Sequence, residues 1–242
     1  MGEETGNSER AEFYKSHRDR SAIIYKKKHG IQYDWEFGTL TGAVPAMSVL
    51  EIGCGAGNFL RYLEASNYAE IVGIDMDEYL ADALSDLTKT EIYLDDVGRV
   101  LGDQLKGRKF DRIVLLDVAE HIEFDDLVAL MMRLRGHLNA QGKMLLRVPN
   151  IESPWGLKMF YGTFDHVTPL GPGRMVELAH KTGWLCDGCF PQEPRKPLRR
   201  LKERLLNKFM ASLLSYHPEI WTANLLAVYR LNPDFEYPDV QK

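Results

Sequence analysis

From about residue 47 onward, short runs of consecutive apolar residues alternate with longer stretches in which apolar positions recur every three or four residues. "MSVLEIG", "EIVGIDM", "EIYLDD", "FDRIVLLDV" and "GKMLLRVPN" are the short runs, and each is predicted to be a strand. Their near-continuous apolarity suits strands covered on both faces rather than strands with one wet side. "GNFLRYLEAS", "EYLADALSDL", "FDDLVALMMRLRGHL" and "MVELAHKTGW" carry the longer period and are predicted to be helices. Strands alternating with helices imply an α/β fold, a mostly parallel sheet with helices on both faces.

The two ends break this rhythm. Residues 1–40 are polar and aromatic, with Tyr14, Tyr25, Tyr33, Trp35 and Phe37 among basic residues. They read as a helical lid or N-terminal extension to a domain covering residues 41–235. Residues 151–174, "IESPWGLKMFYGTFDHVTPLGPGR", are rich in Gly, Pro and aromatics. They are expected to form a long ordered loop over an active site, because loops of that length in compact domains are usually functional.

Composition narrows the classes. The 242 residues are 45% hydrophobic and 27% charged, ordinary for a globular chain with a real core. A net charge of −5 argues against a general nucleic-acid binder. Cys54, Cys186 and Cys189 are too few and too odd in number for a disulfide scaffold, so a reducing, cytoplasmic setting is expected. Cys186 and Cys189 form a C-x-x-C, but with no second ligand pair it is read as two small apolar residues flanking a turn, and no metal is expected. The polar opening "MGEETGNSER" has no secretory h-region, and no apolar run approaches the roughly 20 residues of a membrane span.

The candidate chemistry begins at "VLEIGCGAGNFL", residues 49–60. Glycines at 53, 55 and 57 admit positive φ and close approach of a ligand, and a helix start offers amides to a polar or anionic group. The dinucleotide fingerprint G-x-G-x-x-G would need its third glycine at position 58, which is Asn58. The spacing is instead G-x-G-x-G with Glu51 before it, which moves the reading from a nicotinamide cofactor to S-adenosylmethionine. Asp75 closes the next strand, where an acid can accept hydrogen bonds from ribose hydroxyls.

Taken together, "VLEIGCGAGNFL", "VGIDMD", "YLDDV", "FDRIVLLDVAEHI" and "LNAQGKMLLRVPN" resemble, in order and spacing, the class I S-adenosylmethionine-dependent methyltransferases. "LLDVAEHI" and "VPN" look most like the branch of ubiquinone-pathway O-methyltransferases and of sugar and polysaccharide methyltransferases. The resemblance implies a Rossmann-like sheet of seven strands with the last antiparallel, "CFPQEP" and "NLLAVYRL" being the sixth and seventh. It implies that Gly53, Gly55 and Gly57 line the methionine moiety with Glu51 beneath, that Asp75 holds the ribose, and that Met76 lies against adenine. Asp95 or Asp96 would accept from the adenine amino group, with Asp96 favoured. Asp117 would face the sulfonium end.

Methyl transfer from a sulfonium needs alignment and a dry pocket above all, and a hydroxyl acceptor also needs a base. His121 in "DVAEHI" and His166 in "FDHVTP" fall at or beyond the carboxyl ends of strands, where such a base belongs. Each has a competing structural reading, His121 as a tie within its turn and His166 as loop scaffolding. Asn150 is a third candidate for orienting an acceptor.

Near the C-terminus, residues 197–215 carry a helical apolar stripe of Leu198, Leu201, Leu205, Phe209 and Leu213. Seven bases from Arg195 to Lys208 face one acid, Glu203, a net of about +6 that leaves about −11 elsewhere in a chain of −5. Such a helix suits an anionic membrane surface, and so a lipid-linked acceptor. Packing on the core, or at a homodimer interface, is the alternative. The chain is therefore expected to methylate a hydroxyl of a sugar, glycan or small polar metabolite. The rivals are a quinone precursor or other aromatic acceptor, and a methyltransferase-fold partner subunit without catalysis.

Overall fold

The computed structural model describes Tyr25, residues 27–193 and residues 196–236. Most of the expected N-terminal extension, together with Arg195 of the basic segment, lies outside the described residues. Seven strands form one sheet: β1 (Ser48–Ile52), β2 (Glu70–Asp75), β3 (Thr90–Leu94), β4 (Phe110–Leu116), β5 (Leu138–Pro149), β6 (Trp184–Pro191) and β7 (Asn224–Leu231). Their order is β3-β2-β1-β4-β5-β7-β6, and β7 runs antiparallel to both of its neighbours. This is the α/β sheet that the alternation of periods implied, in the Rossmann-like seven-stranded form that the resemblance implied.

Consecutive strand residues point to opposite faces, so each continuous apolar run feeds two cores at once. On one face Leu50, Ile52, Val72, Ile74, Ile113, Leu115 and Leu146 meet α4 (Val97–Gly102), α5 (Phe124–Leu134) and α7 (Pro172–Thr182). On the other, Val49, Ile71, Val114, Leu145 and Val228 pack with Phe59, Leu60 and Leu63 of α2 (Asn58–Ala65) and with Phe37. The strand order reverses direction between β1 and β4, and the crevice outside the carboxyl ends at such a reversal is where open α/β sheets hold ligands.

Three expectations need adjustment. The sixth strand begins at Trp184, five residues before the predicted "CFPQEP", and it shifts register between Cys186 and Gly188. That bulge breaks the alternation by which a strand is recognised. The 151–174 segment is not a continuous loop, because it contains α6 (Pro154–Phe160). Ser153 caps α6 by accepting from the Trp155 amide (3.2 Å), and Pro154 fills its first turn. Gly156 lets α6 lie against bare backbone, since a Cβ there would stand 2.1 Å from the Asn150 carbonyl oxygen.

The last adjustment concerns α8 (Pro197–Leu213), the basic helix, which has no buried residue. Leu198, Leu201, Leu205, Phe209 and Leu213 are all exposed, so core packing of that stripe is overturned. Inserted between β6 and β7, α8 leaves the sheet from the carboxyl-end rim, the edge that carries the crevice.

At the N-terminal side, α1 (Lys27–Tyr33) runs into a wider π-helical turn, Asp34–Thr39, that lies over α2. Phe37 and Tyr33 meet the Phe59 ring edge-on, each with ring centroids 5.1 Å apart, and Asp34 accepts from the Tyr62 hydroxyl (2.8 Å).

Candidate active site

The turn after β1 shows why its backbone is bare. Gly53, Gly55 and Gly57 all have positive φ (70°, 52° and 75°). At Gly53 a Cβ would also stand 2.4 Å from a Val118 methyl, and at Gly57 2.6 Å from Leu84. The amides of Gly53 and Cys54 both donate to the Ile74 carbonyl (2.8 and 3.0 Å), and that of Gly57 to Cys54 (2.9 Å). The Gly55 amide donates to Asp75 Oδ2 (2.7 Å). These four amides are therefore spent inside the turn, and the glycines give a ligand proximity rather than a nest of free donors. The amides expected to meet a polar group are those of the helix start that follows, Asn58 onward.

The predicted acids line one rim. Asp75, 3% exposed at the end of β2, also accepts from the Asp77 amide through Oδ1 (3.0 Å). Each carboxylate oxygen can accept more than one bond, so these contacts fix its orientation and leave acceptor capacity. Glu51, on β1 beneath the glycines, is also 3% exposed, and its Oε2 has no hydrogen-bond partner. Burial pushes the Glu51 carboxyl well above the usual range; Arg147 nearby opposes this and Asp75 adds to it. Met76 is half exposed at the rim, available to an aromatic ring. Leu94 of β3 pairs in register with Asp75, so Asp95 and Asp96 stand just past it. Asp96 caps α4 by accepting from the Arg99 amide (2.9 Å), while Asp95 pairs with the Arg99 guanidinium (3.2 Å).

Asp117, just past β4, has a positive φ of 59°. A non-glycine residue is held there at a cost, and such positions cluster at functional sites. What holds it is Arg147 of β5. The Arg147 carbonyl accepts from the Asp117 amide (2.9 Å), and its guanidinium grips the carboxylate through two bonds (2.9 and 2.5 Å). The same guanidinium reaches Glu36 of the π-helical turn at 3.0 Å. Burial works against its charge, but Asp117 first and then Glu36 outweigh this and strengthen its protonation. Glu36, 1% exposed, also accepts from Gln32 and from Gln192 just past β6 (2.8 Å). Glu36 thus pins the N-terminal cap to the sheet.

Beside Asp117 lies a second cluster. His121 ends a short 3-10 turn, Ala119–His121, and the segment after α6 is stitched to that turn because the Glu120 carbonyl accepts from the amides of Val167 (2.8 Å) and Thr168 (3.1 Å). His121 and His166 therefore meet edge-on, ring centroids 4.6 Å apart. His121 Nδ1 faces the carbonyl and a carboxylate oxygen of Asp165, both at 3.3 Å. His166 Nδ1 faces the Phe160 carbonyl oxygen at 3.0 Å. Glu120, 1% exposed, has a carboxyl pushed up to about 8, by burial first and then by Asp117. Asn150 is used structurally: its amide donates to Ile220 O (2.8 Å) and its Oδ1 accepts from the Glu152 amide (3.1 Å). A role in orienting an acceptor is withdrawn for it.

With this rim in view, the comparisons with known proteins are specific. Residues 19–189 match the family model of a methyltransferase domain. The chain belongs to that methyltransferase family. It is an S-adenosylmethionine-dependent methyltransferase, as the glycine turn and its acids suggested. Among curated proteins none matches it in sequence. Among solved structures, a methyltransferase from Archaeoglobus fulgidus superposes with a TM-score of 0.65 at 18% identity, over 90% of this chain and 97% of that one. The Burkholderia thailandensis 1,6-didemethyltoxoflavin N1-methyltransferase, solved with that compound and S-adenosylhomocysteine, gives 0.58 at 14% identity, over 96% and 90%. A plantazolicin methyltransferase, solved with a monoazolic desmethylPZN analogue and S-adenosylhomocysteine, gives 0.55 at 16%, over 95% and 91%. At these identities the likeness is one of fold.

Three participants in this methyltransferase's rim escape a reading by motif: Glu36, Glu120 and Arg147. Arg147 left a signal, being the one charged residue inside the apolar run "MLLRVP". Glu36 left none, because a single acid between aromatics is commonplace.

Proposed function

We propose that this methyltransferase transfers the methyl group to a hydroxyl of a sugar, glycan or similar polar metabolite. The observation that carries the reading is the polar cluster of Glu120, His121 and His166 beside Asp117, flanked by exposed aromatics. Trp155, Tyr161 and Phe164 are largely exposed on and after α6, the helix whose Phe160 carbonyl orients His166. An exposed apolar patch rimmed by polar groups marks a binding surface, and aromatic rings suit the apolar face of a pyranose. A quinone precursor or other aromatic acceptor is the second reading, favoured by the same rings.

In this account the donor lies across the carboxyl ends of β1 to β4. Gly53, Gly55 and Gly57 allow the methionine moiety to come close, and Glu51 supplies a buried carboxyl that ionises as the cationic end of the donor arrives. Asp75 takes the ribose hydroxyls, Met76 flanks adenine, and Asp96 (or Asp95) takes its amino group. Asp117 faces the sulfonium. The acceptor oxygen attacks the methyl carbon in line, the carbon–sulfur bond breaks with its electron pair staying on sulfur, and S-adenosylhomocysteine leaves. The acceptor proton passes to His121 or His166. Each imidazole turns Nδ1 toward an oxygen, and donating there would put the basic lone pair on Nε2. Replacing either histidine by Gln is expected to lower turnover with the true acceptor while donor affinity stays within a few-fold. Full activity in both variants would remove them from the chemistry.

The lipid-linked version of the acceptor rests on α8. Among the described residues its exposed apolar stripe is accompanied by Lys196, Arg199, Arg200, Lys202, Arg204 and Lys208. Like charges on two such helices oppose a symmetric dimer, whereas anionic lipid complements them, so the proposed partner is an anionic membrane surface. No helix among the described residues is long and apolar enough to cross a membrane. Co-sedimentation with anionic vesicles, declining with salt and lost in Leu201→Asp/Leu205→Asp, is expected. A dimer in solution with no vesicle binding would assign the stripe to a second copy instead.

A further inference from the structure

We infer that Glu120, His121 and His166 form a binding site for one first-row divalent cation at the acceptor end of the crevice. No metal is expected from the sequence, where the only pair weighed is Cys186 and Cys189; these three residues lie in "AEHI" and "FDHV", with His121 and His166 45 residues apart. The fold brings them together: one ligand atom from each lies within 4.8 Å of the others. Ligands of one ion at bond lengths of roughly 2.0–2.2 Å stand somewhat closer than this, so the side chains close on the ion by small rotations.

Two further observations point to a cation. Glu120 is 1% exposed and its Oε2 has no hydrogen-bond partner, so a carboxylate oxygen is buried with nothing to satisfy it. Such a group is costly to keep unless something positive meets it. The second observation is the orientation of the rings. His121 directs Nδ1 at Asp165, with a carboxylate oxygen 3.3 Å away, and His166 directs Nδ1 at the Phe160 carbonyl. A metal-binding histidine is held in this way, its remote nitrogen donating to a carboxylate or carbonyl so that the other presents a lone pair. Asp165 and the Phe160 carbonyl thus supply, before any ion arrives, the outer contacts of a two-histidine, one-carboxylate site.

Two imidazoles and one carboxylate favour zinc, manganese, iron or cobalt over calcium or magnesium. Three protein ligands also leave coordination positions open. The consequence for catalysis rests on the function proposed above. With both imidazoles on the ion, the ion takes the place of the imidazole base: it lowers the pKa of the acceptor hydroxyl, whose proton leaves to solvent. An acceptor offering a second oxygen beside the reacting one would chelate. The binding site itself does not depend on that reading.

The test uses full-length, tag-free, chelator-treated protein in a Cys186→Ser/Cys189→Ser background, which removes the thiol pair as a competing zinc site. Zn²⁺ is titrated by calorimetry, and Co²⁺ is followed by its visible absorption. One ion per chain is expected, with affinity reduced more than about tenfold by Glu120→Gln and by His166→Gln. Binding of S-adenosylhomocysteine, measured on each variant, reports that it is folded. No uptake of either ion by the background protein, or uptake unchanged in both folded variants, overturns the site. Failure to bind S-adenosylhomocysteine in the background protein would count against the donor site alone, since the ion titration does not depend on it.

Discussion

Arg147 is the point at which cap, sheet and crevice meet, and its removal can be worked through in numbers. Arg147→Met keeps the apolar stem and deletes the guanidinium. Glu36, 1% exposed, loses a 3.0 Å ion pair, and Asp117 loses both guanidinium bonds to its carboxylate while its amide keeps the bond to the carbonyl of residue 147. Breaking a buried pair by removing one partner costs roughly 3–5 kcal/mol. The Asp117 side chain is 45% exposed and its share is screened by water. Gln32 and Gln192 go on donating to Glu36. The cost is therefore expected at the lower end, about 3 kcal/mol. Glu36→Gln alone leaves Arg147 paired with Asp117 and should cost about 2 kcal/mol. With no charge left unpaired at Glu36, the double variant should cost little more than Arg147→Met, a coupling of about 2 kcal/mol. Urea unfolding at constant m-value measures all three. Single effects that add to within about 0.5 kcal/mol would show that the two charges act independently and that the cap is not pinned through them.

Gly53→Ala should destabilise by about 2–4 kcal/mol, combining left-handed strain with overpacking against Val118; adding Val118→Ala should recover the packing part only, and a neutral Gly53→Ala would refute the tight-turn account. Glu51 carries a carboxyl raised by burial, so ionising it in the fold is unfavourable once the pH exceeds the unfolded value near 4.3. Glu51→Gln should consequently stabilise the donor-free protein at neutral pH, by an amount that vanishes as the pH falls below the carboxylate range. Thermal unfolding as a function of pH reads this, and a gain that grows on acidification would reverse the sign of the argument. The same variant should bind S-adenosylmethionine more weakly, because it removes the carboxyl that ionises against the cationic end of the methionine.

Five strands and the main helices between them were legible because parallel strands buried on both faces leave runs that few other structures produce. Asp75, Asp95, Asp96 and Asp117 stand out in the sequence because each closes or follows such a run, whereas Glu51 sits inside one. The parts that were not legible depend on contacts distant in sequence. α6 was hidden among aromatics, although Ser153 and Pro154 mark its start, because its glycine is set by the backbone of Asn150 and Ala223, just past β5 and just before β7, rather than by local propensity. The π-helical turn owes its place to Glu36 meeting Arg147, 111 residues away. α8 carried the period of a core helix, yet the sheet it would have covered is already covered, so the stripe faces outward. The histidine cluster was half visible: both rings were picked out, but Glu120 acquires its role only when the chain after α6 folds back over the turn.

The central claim is that the crevice holds S-adenosylmethionine, and calorimetry with S-adenosylmethionine and S-adenosylhomocysteine tests it most directly, with NAD as control. One site per chain for both sulfur ligands, none for NAD, and loss of binding in a folded Asp75→Ala variant is the expected result. Binding of NAD in place of the sulfur ligands, or affinity unaffected by Asp75→Ala, would contradict it.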